Sequence, residues 1–272
     1  MRYGADVRTL IFSSLCFVSF ATQWVWRDVD KESVHTRFTW TILSGLQAFQ
    51  QAVSVHNFAH CAVFSNKAVN DLFGVLLTLL GGAPASLYVP GHNESHHRHL
   101  ETNRDVMRTN RMTYSREYLN HLLFFPTIVW DIQRNDLRYM NEQRKRHTAL
   151  FSRFVREVVV YHIFLAYILR SCFKRAMWVY IVPTMIGKYL IVTLNMLQHK
   201  GCDPDSKYNH SRNFTGPVLN FFCFNNGYHT QHHNSPGLHW SLLPKKHKDI
   251  EHHIRRDLLQ CNIVAYIVHA WT

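Results

Sequence analysis

A chain of 272 residues with no Pro/Gly/Ser-rich linker and no low-complexity tract reads as a single domain, and its 47% apolar content and slightly negative mean hydropathy would by themselves suit a soluble globule. The net charge of +12 raises a nucleic-acid partner, yet the twelve Lys/Arg from Arg98 to Arg156 are interspersed with six Asp/Glu, and no zinc-finger or RNA-binding signature accompanies them. No nucleic-acid partner is expected; a basic surface facing a membrane is the better account, and six scattered cysteines without a C-x-x-C pair argue against a cysteine zinc site or a disulfide framework.

In chain order, Arg2 and Arg8 precede an apolar run from Leu10, and no small-residue cleavage site intervenes before Trp24 and Trp26. An uncleaved first span, Leu10 to Trp26, is expected. Further spans are predicted at Trp40 to about His60, Phe154 to Leu169 and Met177 to Leu197, each near the roughly 20 residues that cross a hydrocarbon core. The stretch Leu72 to Val89 is broken by Gly81, Gly82 and Pro84, with Pro90 just beyond, and reads as re-entrant or interfacial. Four crossings leave two short loops, Arg27 to Arg37 and Ser171 to Arg175, on one side. The long Lys/Arg-rich segments then lie on the other, which the positive-inside tendency makes cytoplasmic. The expected fold is an all-α, multi-pass integral membrane protein with about four transmembrane helices and a cytoplasmic helical cap. Lys188, near the middle of the fourth span, either snorkels or faces the bundle interior.

Twenty histidines are many for this length, and more than half are grouped. His56 and His60 form H-x-x-x-H on a predicted helix, one turn apart on one face. His92, His96 and His97 form H-x-x-x-H-H, and His229, His232 and His233 form H-x-x-H-H after Asn225-Asn226-Gly227. Packing eight imidazoles without a metal would bring proton competition and desolvation cost. The span topology puts all eight on the cytoplasmic side. The fourth span ends there too, with Asn195 and His199 at i and i+4, adding a ninth imidazole and an amide that bonds metal directly or through water.

Nine neutral nitrogen donors exceed a tetrahedral zinc site, and no H-E-x-x-H is present to suggest a zinc protease. Two redox metals sharing the histidines is the economical reading, and imidazole suits iron among others. Neutral ligands leave the metal charge uncompensated, so nearby carboxylates should matter; Glu94, Asp203 and Asp205 are the candidates. His99, His210, His239 and the other scattered histidines read as surface, interfacial or packing residues.

The three boxes, in this order between these spans, resemble those of the membrane fatty acid desaturase and hydroxylase superfamily, in its compact bacterial-type branch. The resemblance covers about Trp40 to Pro244 and rests on Val89-Pro90-Gly91-His92-Asn93-Glu94-Ser95-His96-His97-Arg98-His99 and on Phe224-Asn225-Asn226-Gly227-Tyr228-His229-Thr230-Gln231-His232-His233. It implies two Fe ions, O2 as co-substrate and an external reductant, a separate ferredoxin or b-type cytochrome, since no His-Pro-Gly-Gly heme segment is present. Asn195 and His199 resemble the N-x-x-x-H pair of the stearoyl-CoA desaturases. The expected activity is introduction of a double bond into a fatty acyl chain by C–H hydrogen abstraction. Hydroxylation or ketolation of a lipid, carotenoid or other apolar substrate is the alternative on the same scaffold. A divalent-metal transporter or binding protein is the remote alternative, since transporters place ligands inside their spans rather than at span ends.

Overall fold

The computed structural model describes all 272 residues, and nearly all of its regular structure is helical. The principal helices are α1 (Val7–Trp26), α2 (Val34–His60), α3 (Lys67–Gly81), α4 (Glu117–Lys145), α5 (Ala149–Ser171), α6 (Val182–His199), α7 (Pro217–Phe222), α8 (His229–Asn234), α9 (Leu243–Ile250) and α10 (Ile263–Trp271). One parallel pair of two-residue strands, β1 (Asn213–Phe214) and β2 (Leu259–Gln260), sets Asn213 opposite Leu259. The chain divides into two compact units, Met1–Tyr88 with Met140–Ile191, and Val89–Tyr139 with Val192–Thr272.

In the first unit, side-chain oxygens start the helices. Ser33, Asn66 and Thr148 accept from the backbone N–H groups of Thr36, Val69 and Phe151 and so begin α2, α3 and α5. The burial pattern of these helices is the reverse of a soluble protein's. Helix α1 buries Thr9, Ser13 and Gln23 and exposes Ile11, Leu15 and Val18; α2 buries Thr41, Ser44 and Gln51 and exposes Phe38, Ile42 and Leu46. The buried groups pair between helices: Ser13 Oγ donates to Gln51 Oε1 at 3.0 Å, and Gln23 Nε2 to Ser44 Oγ at 2.9 Å. In hydrocarbon a helix gains little by burying leucine but must satisfy its polar side chains, so polar faces turn inward. Helix α5 follows suit, exposing Val155, Val159, Ile163 and Tyr167 at every fourth position while burying Glu157.

Gly4–Trp26 and Phe173–His199 are long and apolar enough to cross a membrane, and Lys67–Gly81 with Ala85–His99 qualifies only as a pair bent by 86°. This bend is where the sequence predicts a re-entrant break. Helices α2 and α5, of 27 and 23 residues, are long enough but do not qualify: α2 averages too polar, with Thr41, Ser44 and Gln51 buried along it, and α5 carries Arg153, Arg156, Glu157 and Arg170.

Close packing accompanies this pattern. A Cβ on Gly187 would lie 2.6 Å from the carbonyl carbon of Ala48 and 2.7 Å from the amide of Phe49, so α6 crosses α2 at backbone contact. The next residue, Lys188, faces inward and donates to the carbonyl of Gly82 at 2.6 Å. Three more contacts hold the break after α3. The Ala85 N–H donates to Thr78 Oγ1 at 2.9 Å, the Ser86 N–H to Glu157 Oε2 at 2.8 Å, and Arg153 Nε to Ser86 Oγ at 2.9 Å. All six cysteines are free thiols, as their spacing implies.

The second unit is built differently, from short helices and turns held by side chain to backbone bonds. It contains the π-helical turn Val89–His96, most of α4, the last turns of α6, and α7 to α10.

Candidate metal centre

Seven of the nine predicted ligands lie in the second unit, where each box is fixed by its neighbours. Ser95, inside the π-helical turn, donates to the Arg104 carbonyl at 2.8 Å and accepts from the Val106 N–H at 3.0 Å, folding the following loop back beneath box two. The end of α6 is capped by Arg212, whose guanidinium donates to the carbonyls of Leu197 and Lys200. Gln198, beside His199, donates to the carbonyl and side chain of Asn226 at 3.0 and 3.1 Å. Box three opens on a turn that only glycine fits: a Cβ on Gly227 would stand 2.0 Å from the Phe214 carbonyl oxygen and 2.7 Å from Asn220 Oδ1. Thr230, within the box, is held by Asn213 and Ser211.

These supports bring imidazoles from three separate stretches into two groups. In the first, His199 Nε2 stands 3.2 Å from His96 Nε2, 2.9 Å from His229 Nε2 and 3.1 Å from His233 Nε2, and His229 and His233 are 3.2 Å apart. In the second, His97 Nε2 stands 3.1 Å from His92 Nε2 and 3.0 Å from His232 Nε2. Asn195, one turn before His199, is buried with its side-chain amide nitrogen lacking any hydrogen-bond partner. The remaining predicted pair belongs to the first unit: His56 and His60 close α2, one turn apart, with ring centroids 4.9 Å from each other.

Proton accounting shows what these groups can do. His96 Nδ1 lies 3.0 Å from Asp105 Oδ2, both side chains being fully buried. Burial alone would raise the Asp105 carboxyl, but His96 and the N–H groups of Glu101 and Met107 together bring it below its ordinary range. The ionised carboxylate only accepts, so the His96 proton sits on Nδ1. His199 Nδ1 likewise faces the His210 carbonyl at 3.1 Å and must donate to it. With both Nδ1 atoms so engaged, the Nε2 atoms of His96 and His199 are the ones turned toward each other. His233 is pushed well below the ordinary histidine range by burial and then by its neighbouring imidazoles, which favours its neutral ring. A cation among these Nε2 atoms would be ligated by all four rings at once. Metal–imidazole bonds of about 2.0–2.1 Å set adjacent ligand nitrogens about 3 Å apart, which is the spacing seen. His96, His199, His229 and His233 fit a first-row metal ion, and His92, His97 and His232 offer a second grouping of the same kind.

The carboxylate beneath the ligands is a correction to the sequence reading. Glu94 pairs with Arg98 at the surface, 2.6 Å away, while Asp203 and Asp205 are exposed. Asp105 takes the role assigned to them. It lies nine positions after His96, a spacing with no helical or strand period, so nothing in the sequence distinguished it from other acids of that segment. His210, read as a packing residue, contributes its backbone carbonyl, a group that every residue type possesses. His239 lies outside both groups; its Nδ1 is 2.8 Å from Ser241 Oγ at the start of the Trp240–Leu242 turn.

No curated protein matches the chain. The family model described as fatty acid desaturase matches residues 34–264, a stretch that holds every candidate ligand, and the chain belongs to that family of membrane-bound lipid oxidoreductases.

Proposed function

We propose that the chain is an O2-dependent di-iron desaturase that introduces a double bond into a fatty acyl chain. The observation that carries the metal is the convergence of four Nε2 atoms, those of His96, His229 and His233 lying 2.9–3.2 Å from that of His199, while His96 and His199 turn Nδ1 to Asp105 and to the His210 carbonyl. Family membership supports the lipid substrate and the oxidation. In this reading His96, His199, His229 and His233 hold one iron, and His92, His97 and His232 belong to the other. His56 and His60 join the second set; their support is the i, i+4 placement at the end of α2 and their inclusion in the matched region. Asn195 completes the first set, directly or through water, which would satisfy its unpartnered amide.

When bound, the irons supply the one-electron chemistry and oxygen activation that imidazoles and carboxylates lack. The chain's residues do the rest. Asp105 orients His96 and adds negative charge beneath an otherwise neutral ligand set, and the His210 carbonyl fixes the His199 tautomer. Desaturation breaks two C–H bonds and forms one C=C bond. O2 goes to two waters with two electrons from the substrate, two from outside and two added protons, so an external donor is required; we assign a ferredoxin or a b-type cytochrome. Four transmembrane helices, α1, α2, α5 and α6, and a cytoplasmic helical cap complete the reading. The exposed apolar stripes of α2 and α5 and the Lys/Arg excess outside the short loops support it.

Expression in a host of defined lipid composition, followed by mass spectrometry of the extracts, tests the reaction. Lipids short of two hydrogens are expected. Products carrying one extra oxygen would make the enzyme a hydroxylase or ketolase, and unchanged lipids with metal bound would remove the acyl substrate.

A further inference from the structure

Lys, Arg, Asp and Glu are absent from three segments of the second unit, Tyr118–Trp130, Gly216–Tyr228 and Leu258–Thr272, although the segments between them are heavily charged. Those three segments contain the N-terminal half of α4, all of α7 and all of α10. The fold gathers them on one face. Trp271 Nε1, at the end of α10, donates to His121 Nδ1 of α4 at 2.7 Å. The Thr215 N–H, just before α7, donates to the Gln260 carbonyl, just before α10, at 2.8 Å, and the rings of Phe214 and Tyr266 lie 5.5 Å apart.

What this face presents is apolar and uncovered. Val218 is 71% exposed, Val264 64% and Val268 57%, Phe221 and Phe222 are about half exposed, and α10 buries no residue at all. Trp130 and Trp271 stand out from it, 61% and 45% exposed, and Tyr118 is 37% exposed. Such a surface is larger than the scattered apolar residues that water tolerates. Its edge carries a cationic excess: Glu117 and Asp131, which adjoin the α4 segment, are paired with Lys200 and Arg111, while Arg116, Arg134, 6.0 Å over the Trp130 ring, and Arg138 are exposed.

From these observations we infer that α4, α7 and α10 form a monotopic lipid-binding face that seats the second unit in one leaflet of a bilayer. The occupant is lipid rather than a protein partner for two reasons. The chain belongs to a membrane-bound family and carries two helices long and apolar enough to cross a bilayer, so a bilayer is within reach. Apolar centre, aromatic margin and cationic edge also match, in order, the acyl region, the interface and the anionic headgroups. The face acts on the metal ligands too. Asn220 of α7 accepts from the Gly227 N–H at 3.1 Å and donates to the Phe214 carbonyl at 2.8 Å, so the helix that meets the lipid holds the turn that opens box three.

Spin labels test the inference on the full chain in vesicles of phosphatidylcholine, with and without phosphatidylglycerol. Cys261→Ser removes the exposed native cysteine, and labels are placed at Val218→Cys and Val268→Cys, with Lys246→Cys on exposed, charged α9 as the reference. Dissolved O2, which concentrates in hydrocarbon, should relax the first two labels over a water-soluble nickel chelate by a ratio about tenfold higher than at 246. Arg134→Glu should narrow that difference only in the vesicles containing phosphatidylglycerol. Equal chelate access at all three positions would overturn the inference. So would labels shielded from both reagents that become accessible as protein is diluted into lipid, which would give the face to a second copy of the chain.

Discussion

The two compact units bury polar groups for opposite reasons. In the first, Ser13, Gln23, Ser44 and Gln51 lie between helices whose outer faces carry isoleucine, leucine and phenylalanine, and each buried group has found a hydrogen-bond partner there. In the second, the imidazoles of His96, His199, His229 and His233 turn their Nε2 atoms toward one another around a common point. One arrangement is what a bilayer demands of a helix; the other is what a cation demands of its ligands. The difference teaches that burial of polar residues is uninformative until donors and acceptors are counted.

The contrast can be broken at four places. Gly227→Ala should have the largest effect, because the added methyl meets the Phe214 carbonyl oxygen at 2.0 Å and that backbone cannot yield without moving box three. A destabilisation of about 3 kcal/mol or more is expected, read by thermal unfolding, together with loss of metal in elemental analysis. Asp105→Asn should leave the fold intact and lower metal affinity by about 10- to 100-fold in a competition titration. An unchanged affinity there would show that the buried carboxylate serves the loop alone.

In the first unit, Gln51→Leu removes the partner of Ser13 and should cost only about 0.6 kcal/mol, the scale of hydrogen bonds between membrane helices. If the leucine instead stabilises the protein as it would in a water-soluble core, the assignment of α1 and α2 to lipid fails.

The smallest effect is a pH dependence of the contact between α10 and α4. Trp271 donates to His121 Nδ1, which requires a neutral ring; burial lowers the His121 pKa, with Glu117 opposing and Lys200 and Arg212 reinforcing the shift. A histidine depressed in the folded state binds its proton more readily when released. The contact is therefore at full strength above the ordinary value of 6.5 and weakens as pH falls below it toward the depressed folded value. Tryptophan emission should follow that titration, and Trp271→Phe should abolish it.

The break after α3 and the three histidine boxes were readable because each has a local cause, whereas the 29-residue α4, the longest helix, was not among the expected elements. Proline and glycine interrupt helices wherever they occur, and histidines at i and i+4 share a helix face in any protein. Hydropathy of single segments fared less well. It marks α1 and α6 but undervalues α2, since an average over a helix cannot see which residues point at neighbours, and the charged residues near its two ends set α5 aside.

By itself, then, the sequence determined the helical class, the membrane setting, the family and which imidazoles could serve as ligands. Tertiary structure alone decided how seven of those imidazoles divide into two groups, that Asp105 rather than Glu94, Asp203 or Asp205 underlies His96, and that Lys188 turns inward to Gly82. The reason is physical. Residue type and spacing fix what a side chain can donate or accept, whereas its partner depends on contacts between residues far apart in the chain and, as with the His210 carbonyl, on backbone groups that carry no sequence mark.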